Sequence, residues 1–127
     1  MQDYNLYEYA VIRVVPRVER EEFLNIGVVL YCAKHKFLQV KFRIDEHKLN
    51  TFSASLEIEE LKAHLQVFES ICEGKKCGSP IAELDLPSRF RWLTATRSTI
   101  LQSSKVHPGF CLYPQETLLK LMDQLVL

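Results

Sequence analysis

Residues 23–44 have the sequence FLNIGVVLYCAKHKFLQVKFRI. This stretch predicts the centre of the fold because two strand-like segments of different character flank one short turn. Its first part, Ile26–Cys32, is almost continuously apolar, as in a strand that is buried on both faces. Its last part, Phe37–Ile44, alternates apolar and polar residues, as in a strand with one face in water. We predict an antiparallel hairpin with its turn at Ala33–Lys36. Gly27 indicates a bulge or a close approach of another group to the backbone.

Another strand is predicted upstream at Tyr7–Val15, YEYAVIRVV, which is rich in aromatic and β-branched residues and stops at Pro16. Arg13 is the one charged residue in the apolar second half of this strand. Its side chain must either reach out of the sheet or meet an acidic partner, because an unpaired buried charge is costly.

Helical periodicity follows the hairpin. A short helix is predicted over Asp45–Phe52, and a longer one over Ser55–Glu73, with Ser55 as the N-cap and Gly74 at its end. A C-terminal helix is predicted to begin at Pro114, since proline is favoured in the first helical turn. The apolar residues that these two longer helices would bury are Ile58, Leu61, Leu65, Phe68, Cys72, Leu118, Leu121, Met122 and Leu125.

The region between these helices gives weaker signals. Gly78–Pro87 is predicted as a loop with a short strand at Ile81–Leu84, Arg89–Thr96 as a strand or a helical turn, and Thr99–Gln102 as a strand.

The whole pattern predicts a single α+β domain over residues 1–127, with an antiparallel sheet of four or five strands. The helices are expected mainly on one face of that sheet, which the Ser55–Glu73 helix and the C-terminal helix would cover together.

Composition excludes several classes of protein. The chain has 127 residues, 47% hydrophobic residues and a formal net charge of zero, which is unlike a disordered chain. The longest apolar run, Ile26–Ala33, is far shorter than the roughly 20 residues that cross a membrane. The first residues lack the pattern of a signal peptide, so we expect a cytoplasmic protein. Zero net charge also argues against tight, nonspecific nucleic-acid binding.

We predict no metal site and no cofactor. Cys72 and Cys77 are separated by four residues, rather than the two that are usual in a zinc knuckle, and no histidine pair follows at ligand spacing. The cysteines are expected to be buried apolar side chains or free thiols. The chain also lacks the HExxH, phosphate-loop and Rossmann motifs.

Charge is distributed unevenly along the chain. Residues 1–85 carry 11 basic and 14 acidic side chains, whereas residues 86–127 carry 5 basic and 2 acidic ones. The basic part includes three arginines close to Trp92: Arg89, Arg91 and Arg97. Two interpretations stay open. The arginines bind phosphates, bases or a partner, or they pair inside the fold with the acidic excess, for example with Glu19, Glu21 and Glu22.

Ser98 and His107 are weak candidates for catalysis. A serine and a histidine that meet in space form a nucleophile and a base when an acidic group orients the imidazole. No nucleophile-elbow motif is present around Ser98, however. A polar cluster that binds an anion or orders the loop is the favoured interpretation of these residues.

Three segments occur in the order found in one known family: Tyr9–Pro16, Glu22–Leu30, and Arg89 through Arg97-Ser98-Thr99 to His107-Pro108-Gly109. On these motifs the chain resembles the bacterial domain of unknown function family 3037 over nearly its whole length. The positions that match the polar motif residues of the family, together with its glycine, are Arg13, Glu22, Asn25, Gly27, Arg97, Ser98 and His107.

The resemblance implies a non-catalytic interaction module of a bacterial two-component system, such as a toxin–antitoxin or stress-response pair. Its implied partner is a HipA-like kinase-fold protein encoded nearby. We further predict that Arg13, Glu22, Asn25, Arg97, Ser98 and His107 meet in one polar cluster at an end of the sheet, where they bind an anion or a partner. The alternatives are a small enzyme or anion- or nucleotide-binding protein that uses the Arg/Ser/His cluster, and a weak nucleic-acid binder that uses Arg89, Arg91 and Arg97.

Overall fold

The computed structural model of the chain describes residues 3–75, 78–95 and 99–127. These residues form an α+β fold with an antiparallel five-stranded sheet, as the sequence predicted. The strands are β1 (Asn5–Val14), β2 (Leu24–Cys32), β3 (Phe37–Phe42), β4 (Leu101–Ser103) and β5 (His107–Cys111). The α-helices are α1 (Glu46–Phe52), α2 (Ile58–Glu73), α3 (Leu86–Leu93) and α4 (Pro114–Leu125).

Strand β1 lies at the centre of the sheet. It pairs with β2 along one side, and β3 follows β2 in the predicted hairpin. Along its other side, β1 pairs with two short strands in succession, β5 at its beginning and β4 at its end. Consequently β1 is an interior strand. Ala10, Ile12 and Val14 on one face and Tyr7 and Tyr9 on the other pack in different apolar clusters, which explains why its sequence is apolar on both faces.

The two faces of the sheet carry separate apolar clusters. Val28, Leu30 and Cys32 of β2 pack against α4, whereas Val29 and the alternate residues of β1 join the cluster built by α1, α2 and α3. Three of the four α-helices thus contribute to one face. The prediction that the C-terminal helix shares that face with the Ser55–Glu73 helix is wrong. Because β2 is apolar on both faces, each face needs its own cover, and α4 provides the second.

A bulge interrupts the pairing of β1 with β2. Ile12 lies opposite Gly27 but Arg13 lies opposite Asn25, so Ile26 is the extra residue. Ile26 therefore joins the cluster under α2 instead of keeping the alternation of the strand. The bulge next to Gly27 confirms the prediction made from that glycine.

The helix boundaries follow local chemistry. Asp45 accepts a hydrogen bond from the Lys48 backbone N–H and caps α1, and Gly74 ends α2 in the left-handed conformation. Pro114 begins α4, as predicted. The N-cap of α2 is Glu57 rather than the predicted Ser55, whose hydroxyl lies 3.3 Å from that of Ser53.

The region after α2 is more helical than its sequence predicted. Pro80–Glu83 forms a 3-10 helix where a short strand was expected, and the first five residues of the ambiguous segment, 89–93, belong to α3. The expected strand at Thr99–Gln102 is β4, which begins at Leu101. Strand β5 was not predicted, because Pro108 and Gly109 both lower strand propensity. None of the described helices is long and apolar enough to cross a membrane.

Candidate functional site

A row of polar side chains crosses one end of the sheet. Arg13 of β1 lies opposite Asn25 of β2 on one side and opposite Gln102 of β4 on the other. Directly opposed residues of an antiparallel pair project from the same face, so the three side chains share one face. Asn25 also contacts α4, which identifies this face as the one that α4 partly covers. We call Asn25, Arg13 and Gln102 the Arg13 row.

The guanidinium of Arg13 is held by an aromatic ring but not by an acid. Its Cζ atom lies 3.9 Å from the ring centre of Phe23. Its Nε atom is buried and has no protein acceptor. Within residues 3–75, 78–95 and 99–127, no carboxylate forms an ion pair with it. The charge of Arg13 is therefore not neutralised by the part of the fold that the structure describes.

Asn25 links the Arg13 row to the end of α4. Its Nδ2 atom donates to the Leu125 carbonyl oxygen at 3.2 Å, while its Oδ1 atom is buried without a donor. Asn25 also lines a hollow of about 230 Å³, together with the cationic side chains of Arg43 and Lys48 and the carboxylate of Asp45. The bonded amide fixes the orientation of the Asn25 side chain beside Arg13.

The predicted single polar cluster is only partly assembled. Arg13 and Asn25 are neighbours, but the carboxylate of Glu22 accepts a hydrogen bond from exposed Arg20 instead. His107 lies opposite Tyr9, four residues along β1 from Arg13, which is about 13 Å in an extended strand. His107 and Arg13 therefore lie at different positions along β1 and are not side by side. Two further members of the predicted cluster, Arg97 and Ser98, lie outside the described residues.

His107 has the surroundings of a surface residue. Its ring lies 5.3 Å from that of Tyr9, and the residue is exposed at the edge of the sheet. Among the described residues, no carboxylate hydrogen-bonds to the imidazole. A general base that acts on a serine needs such an orienting group. The described surroundings of His107 therefore offer no support for the catalytic interpretation.

Arg89 and Arg91 both make contacts within the fold. The Nη1 atom of Arg89 donates to the carbonyl oxygens of Ile71 and Cys72, each at 2.9 Å, at the C-terminal end of α2. The Nη1 atom of Arg91 lies 3.1 Å from the Glu8 carboxylate. The acidic partner of Arg91 is thus in the first 85 residues, although it is none of the three glutamates suggested by the sequence. Arg89 is thus engaged at the end of α2, whereas Arg91 forms an ion pair at the surface and stays largely exposed.

A second candidate surface lies at the other end of β1, where large apolar side chains face solvent. Leu6 of β1 and Phe110 of β5 lie directly opposite each other and are 52% and 71% exposed. Tyr4 and Tyr113 beside them are also more than half exposed. We call Tyr4, Leu6, Phe110 and Tyr113 the edge patch. Exposed apolar side chains that cluster in this way are typical of binding surfaces.

Two hollows flank the edge patch and share Tyr4. The first, of about 440 Å³, lies between the patch and α4, and Phe110 and Tyr113 line it. The second, of about 410 Å³, lies beside Leu6 and reaches the Arg91–Glu8 ion pair. The patch is therefore a set of protruding rings between two recesses with charged rims.

The described cysteines and acidic residues show no arrangement of metal ligands. No group of three histidine, cysteine or acidic side chains within the described ranges has the arrangement of metal ligands. Cys32, Cys72 and Cys111 are buried, free thiols, as the sequence predicted, and Cys77 lies outside those ranges. Burial raises the pKa of the Cys72 thiol to about 12. Burial also raises the pKa of Cys111, against an opposing hydrogen bond with Thr117.

Comparison with known proteins connects these features to a family. A family model described as "Protein of unknown function (DUF3037)" matches residues 9–126, nearly the whole chain. The chain belongs to the DUF3037 family. No curated protein and no solved structure matches it. The DUF3037 match contains the whole Arg13 row, together with Phe110 and Tyr113 of the edge patch, whereas Tyr4 and Leu6 precede it.

Several residues of both surfaces were not predicted from the sequence. Gln102 and Phe23 join Arg13 only through strand pairing and stacking, which a single sequence does not reveal. Leu6 precedes the predicted first strand, and Phe110 belongs to the unpredicted β5. The one available signal was the apolar run Phe110-Cys111-Leu112-Tyr113 between Gly109 and Pro114, which is short enough for an edge strand.

Proposed function

We propose that this DUF3037 protein is a non-catalytic interaction module that binds a partner protein through the edge patch. The observation that carries the proposal is the exposed pair of Leu6 and Phe110 on neighbouring strands. Together with Tyr4 and Tyr113, these side chains expose apolar surface to water, and a bound partner would bury that surface.

The chemistry of the patch favours a protein partner. Aromatic residues are enriched at the centres of protein interfaces, where a few anchors supply most of the binding energy. The rims of both hollows carry charged groups, Glu116 and Lys120 beside α4 and Arg91 with Glu8 beside β1. An apolar centre with a charged rim is the usual organisation of a protein interface.

Side-chain anchoring is a better binding mode than extension of the sheet. Strand β5 pairs with β1 alone among the described strands, so its other side is open. Pro108, the second residue of β5, has no N–H to donate, and it shortens the run of hydrogen bonds that an added strand would make. We therefore propose that the partner inserts its own apolar side chains into the two hollows, between which the rings of Tyr4 and Phe110 protrude.

The family resemblance supplies the first partner to test, a HipA-like kinase-fold protein encoded nearby. The wider setting that it implies, a bacterial two-component system in the cytoplasm, belongs to the same proposal. The partner would present apolar side chains toward Phe110 and hydrogen-bonding groups toward the charged rims.

Co-purification tests the proposal. The chain and the neighbouring kinase-fold protein are co-expressed with an affinity tag on one of them and are purified at low salt. We expect a stable complex for the wild-type chain. In the double variant Leu6→Ser/Phe110→Ser, loss of the anchors should weaken the dissociation constant by about 30-fold or more, since removal of one strong anchor costs about 2 kcal/mol.

The matched control is Leu119→Ser, which removes an exposed leucine from α4 outside the patch. This variant should bind as the wild type does. Absence of a complex at low salt, or equal binding by the patch variant and the control, would refute the proposal. A wild-type chain that dimerises by itself, and loses its dimer in the patch variant, would instead identify the patch as a contact between two copies.

A further inference from the structure

The Arg13 row combines three features that a purely structural arginine does not need together. The guanidinium lies over Phe23, it has no acidic partner among the described residues, and a carboxamide side chain flanks it on each neighbouring strand. An arginine that only covers apolar surface extends its charge fully into water. The Nε atom of Arg13 is instead buried without an acceptor, which costs free energy.

The outer part of the same guanidinium remains accessible. Arg13 as a whole is partly exposed, and its two terminal nitrogens are not buried and form no hydrogen bond with a described residue. The ring of Phe23 supports one side of the guanidinium plane, which reduces the number of orientations available to it. The two terminal nitrogens thus form a preoriented fork of N–H donors that faces solvent.

We propose that the Arg13 row is a binding site for a small oxyanion, a carboxylate or a phosphate group. The planar fork of arginine matches two oxygens of either group in a bidentate arrangement. The carboxamide of Gln102 donates one N–H to the Thr99 carbonyl oxygen at 2.8 Å and has a second N–H for the ligand. The carboxamide of Asn25, held by its bond to the Leu125 carbonyl oxygen, borders the site on the other neighbouring strand.

Glu22, the acidic residue closest in sequence to Asn25, does not compete for this site. Its carboxylate accepts a hydrogen bond from Arg20, and the backbone carbonyl of Leu125 at the end of α4 is already bonded to the amide of Asn25. The row itself therefore carries one positive charge, two carboxamides and no carboxylate. This composition attracts an anion and provides the polar groups that orient it.

The site is independent of the edge patch. Arg13 lies seven positions after Leu6 on β1, which is about 23 Å, and the two side chains project from opposite faces because seven is an odd number. A partner protein anchored on Phe110 does not need the Arg13 row. Failure of either proposal consequently leaves the other untouched.

A titration followed by NMR tests the inference. The uniformly ¹⁵N-labelled chain is titrated separately with inorganic phosphate and with acetate, each at constant ionic strength maintained with chloride. We expect saturable shifts of the Arg13 Nε–H signal and of the backbone amides of residues 13, 25 and 102. Phosphate should bind several-fold more tightly than acetate because it carries more charge at pH 7. Shifts from phosphate alone would narrow the ligand class to phosphate groups and would still support the site.

Two variants and a control make the result specific. Arg13→Gln removes the charge and should abolish saturable binding, whereas Arg13→Lys keeps the charge but loses the fork and should bind at least tenfold more weakly. Lys41→Gln removes an exposed cation from β3 and should bind as the wild type does. Dispersed methyl signals of Val28 and Leu30 verify that each variant is folded.

Shifts that stay linear up to high anion concentration, or that map away from residues 13, 25 and 102, would overturn the proposal. Equal binding by Arg13→Gln and the wild type would do the same. If both Arg13 variants fail to fold, anion binding by Gln102→Ala tests the proposal instead. This variant removes only a half-exposed carboxamide and should weaken binding several-fold, and unchanged binding in it would count against the site.

Discussion

Gly27 of β2 lies directly opposite Phe42 of β3, and the phenylalanine ring occupies the space that a side chain at position 27 would fill. A Cβ atom at Gly27 would lie 2.5 Å from both the Phe42 ring and the Lys41 carbonyl oxygen. The same ring meets Phe68 of α2 edge-on, with 5.8 Å between ring centres. Gly27 therefore lets Phe42 lie across the hairpin and join it to the long helix.

Substitution of Gly27 by alanine should lower the free energy of unfolding by about 2 kcal/mol, because the added methyl group forces either the ring or the backbone to move. Urea denaturation of both proteins measures the difference. The control is Gly78→Ala, where a Cβ would meet no atom within 4 Å. The positive φ angle of Gly78 should make that change cost only about 1 kcal/mol. An unfolding midpoint equal to that of the wild type in Gly27→Ala would contradict the close packing.

The strands around Gly27 were predictable because their apolar pattern is local. The continuous apolar run in β2 indicates burial on two faces, and the alternation in β3 indicates burial on one face. Both predictions were confirmed. The side on which α4 packs was not predictable. An apolar helix stripe shows that the helix covers something, but both faces of β2 are equally apolar.

The candidate site was likewise predictable only in part. Arg13 and Asn25 were recognisable because polar residues interrupt apolar strands. Their proximity depends on the extra residue at Ile26, since without the bulge a different residue of β2 would lie opposite Arg13. Glu22 was expected to join them, but a local ion pair with Arg20 requires less ordering of the chain than a long-range contact.

Arg89 should be important for stability rather than for binding. Its guanidinium donates to two carbonyl oxygens at the end of α2, where the last helix carbonyls lack the usual helical partner; that of Ile71 also accepts from the Gly74 backbone N–H. Replacement by alanine should lower the free energy of unfolding by about 2 kcal/mol, the usual effect of losing hydrogen bonds to a charged group. Chemical denaturation measures it.

Arg91 provides the matched control for Arg89, two residues along the same helix. Its ion pair with Glu8 lies at the surface, so Arg91→Ala should cost less than about 1 kcal/mol. If Arg89→Ala proves no more destabilising than Arg91→Ala, the contacts of Arg89 with α2 do not stabilise the fold.

Cys72 should resist alkylation in the folded protein. Its pKa of about 12 arises from burial, which outweighs the opposite effect of the nearby Arg89 charge. At pH 8 only about one thiol in ten thousand is then the reactive thiolate. Treatment with iodoacetamide followed by peptide mass spectrometry should show an unmodified Cys72, and the same treatment in concentrated urea should modify it. Rapid modification of Cys72 under native conditions would contradict the buried position.

Asp85 should make part of the stability of α3 dependent on pH. Hydrogen bonds from the side chain and backbone of Ser88 hold the pKa of this carboxyl below its usual value. Since the folded protein binds the proton less readily than the unfolded chain, the cap contributes fully above about pH 4 and is lost as the pH falls through the lowered pKa. Asp85→Ala should therefore reduce the melting temperature by about 4 °C at pH 7.

That difference between Asp85→Ala and the wild type should shrink between pH 4 and pH 2, as protonation removes the charge of the wild-type cap. Melting curves from circular dichroism at pH 7, 4, 3 and 2 measure it. Asp85→Asn separates the charge from the cap, because asparagine also caps helices well. It should melt close to the wild type at pH 7 but without the acid-dependent loss. A melting difference between wild type and Asp85→Ala that stays constant from pH 7 to pH 2 would show that the carboxylate charge of Asp85 does not stabilise α3.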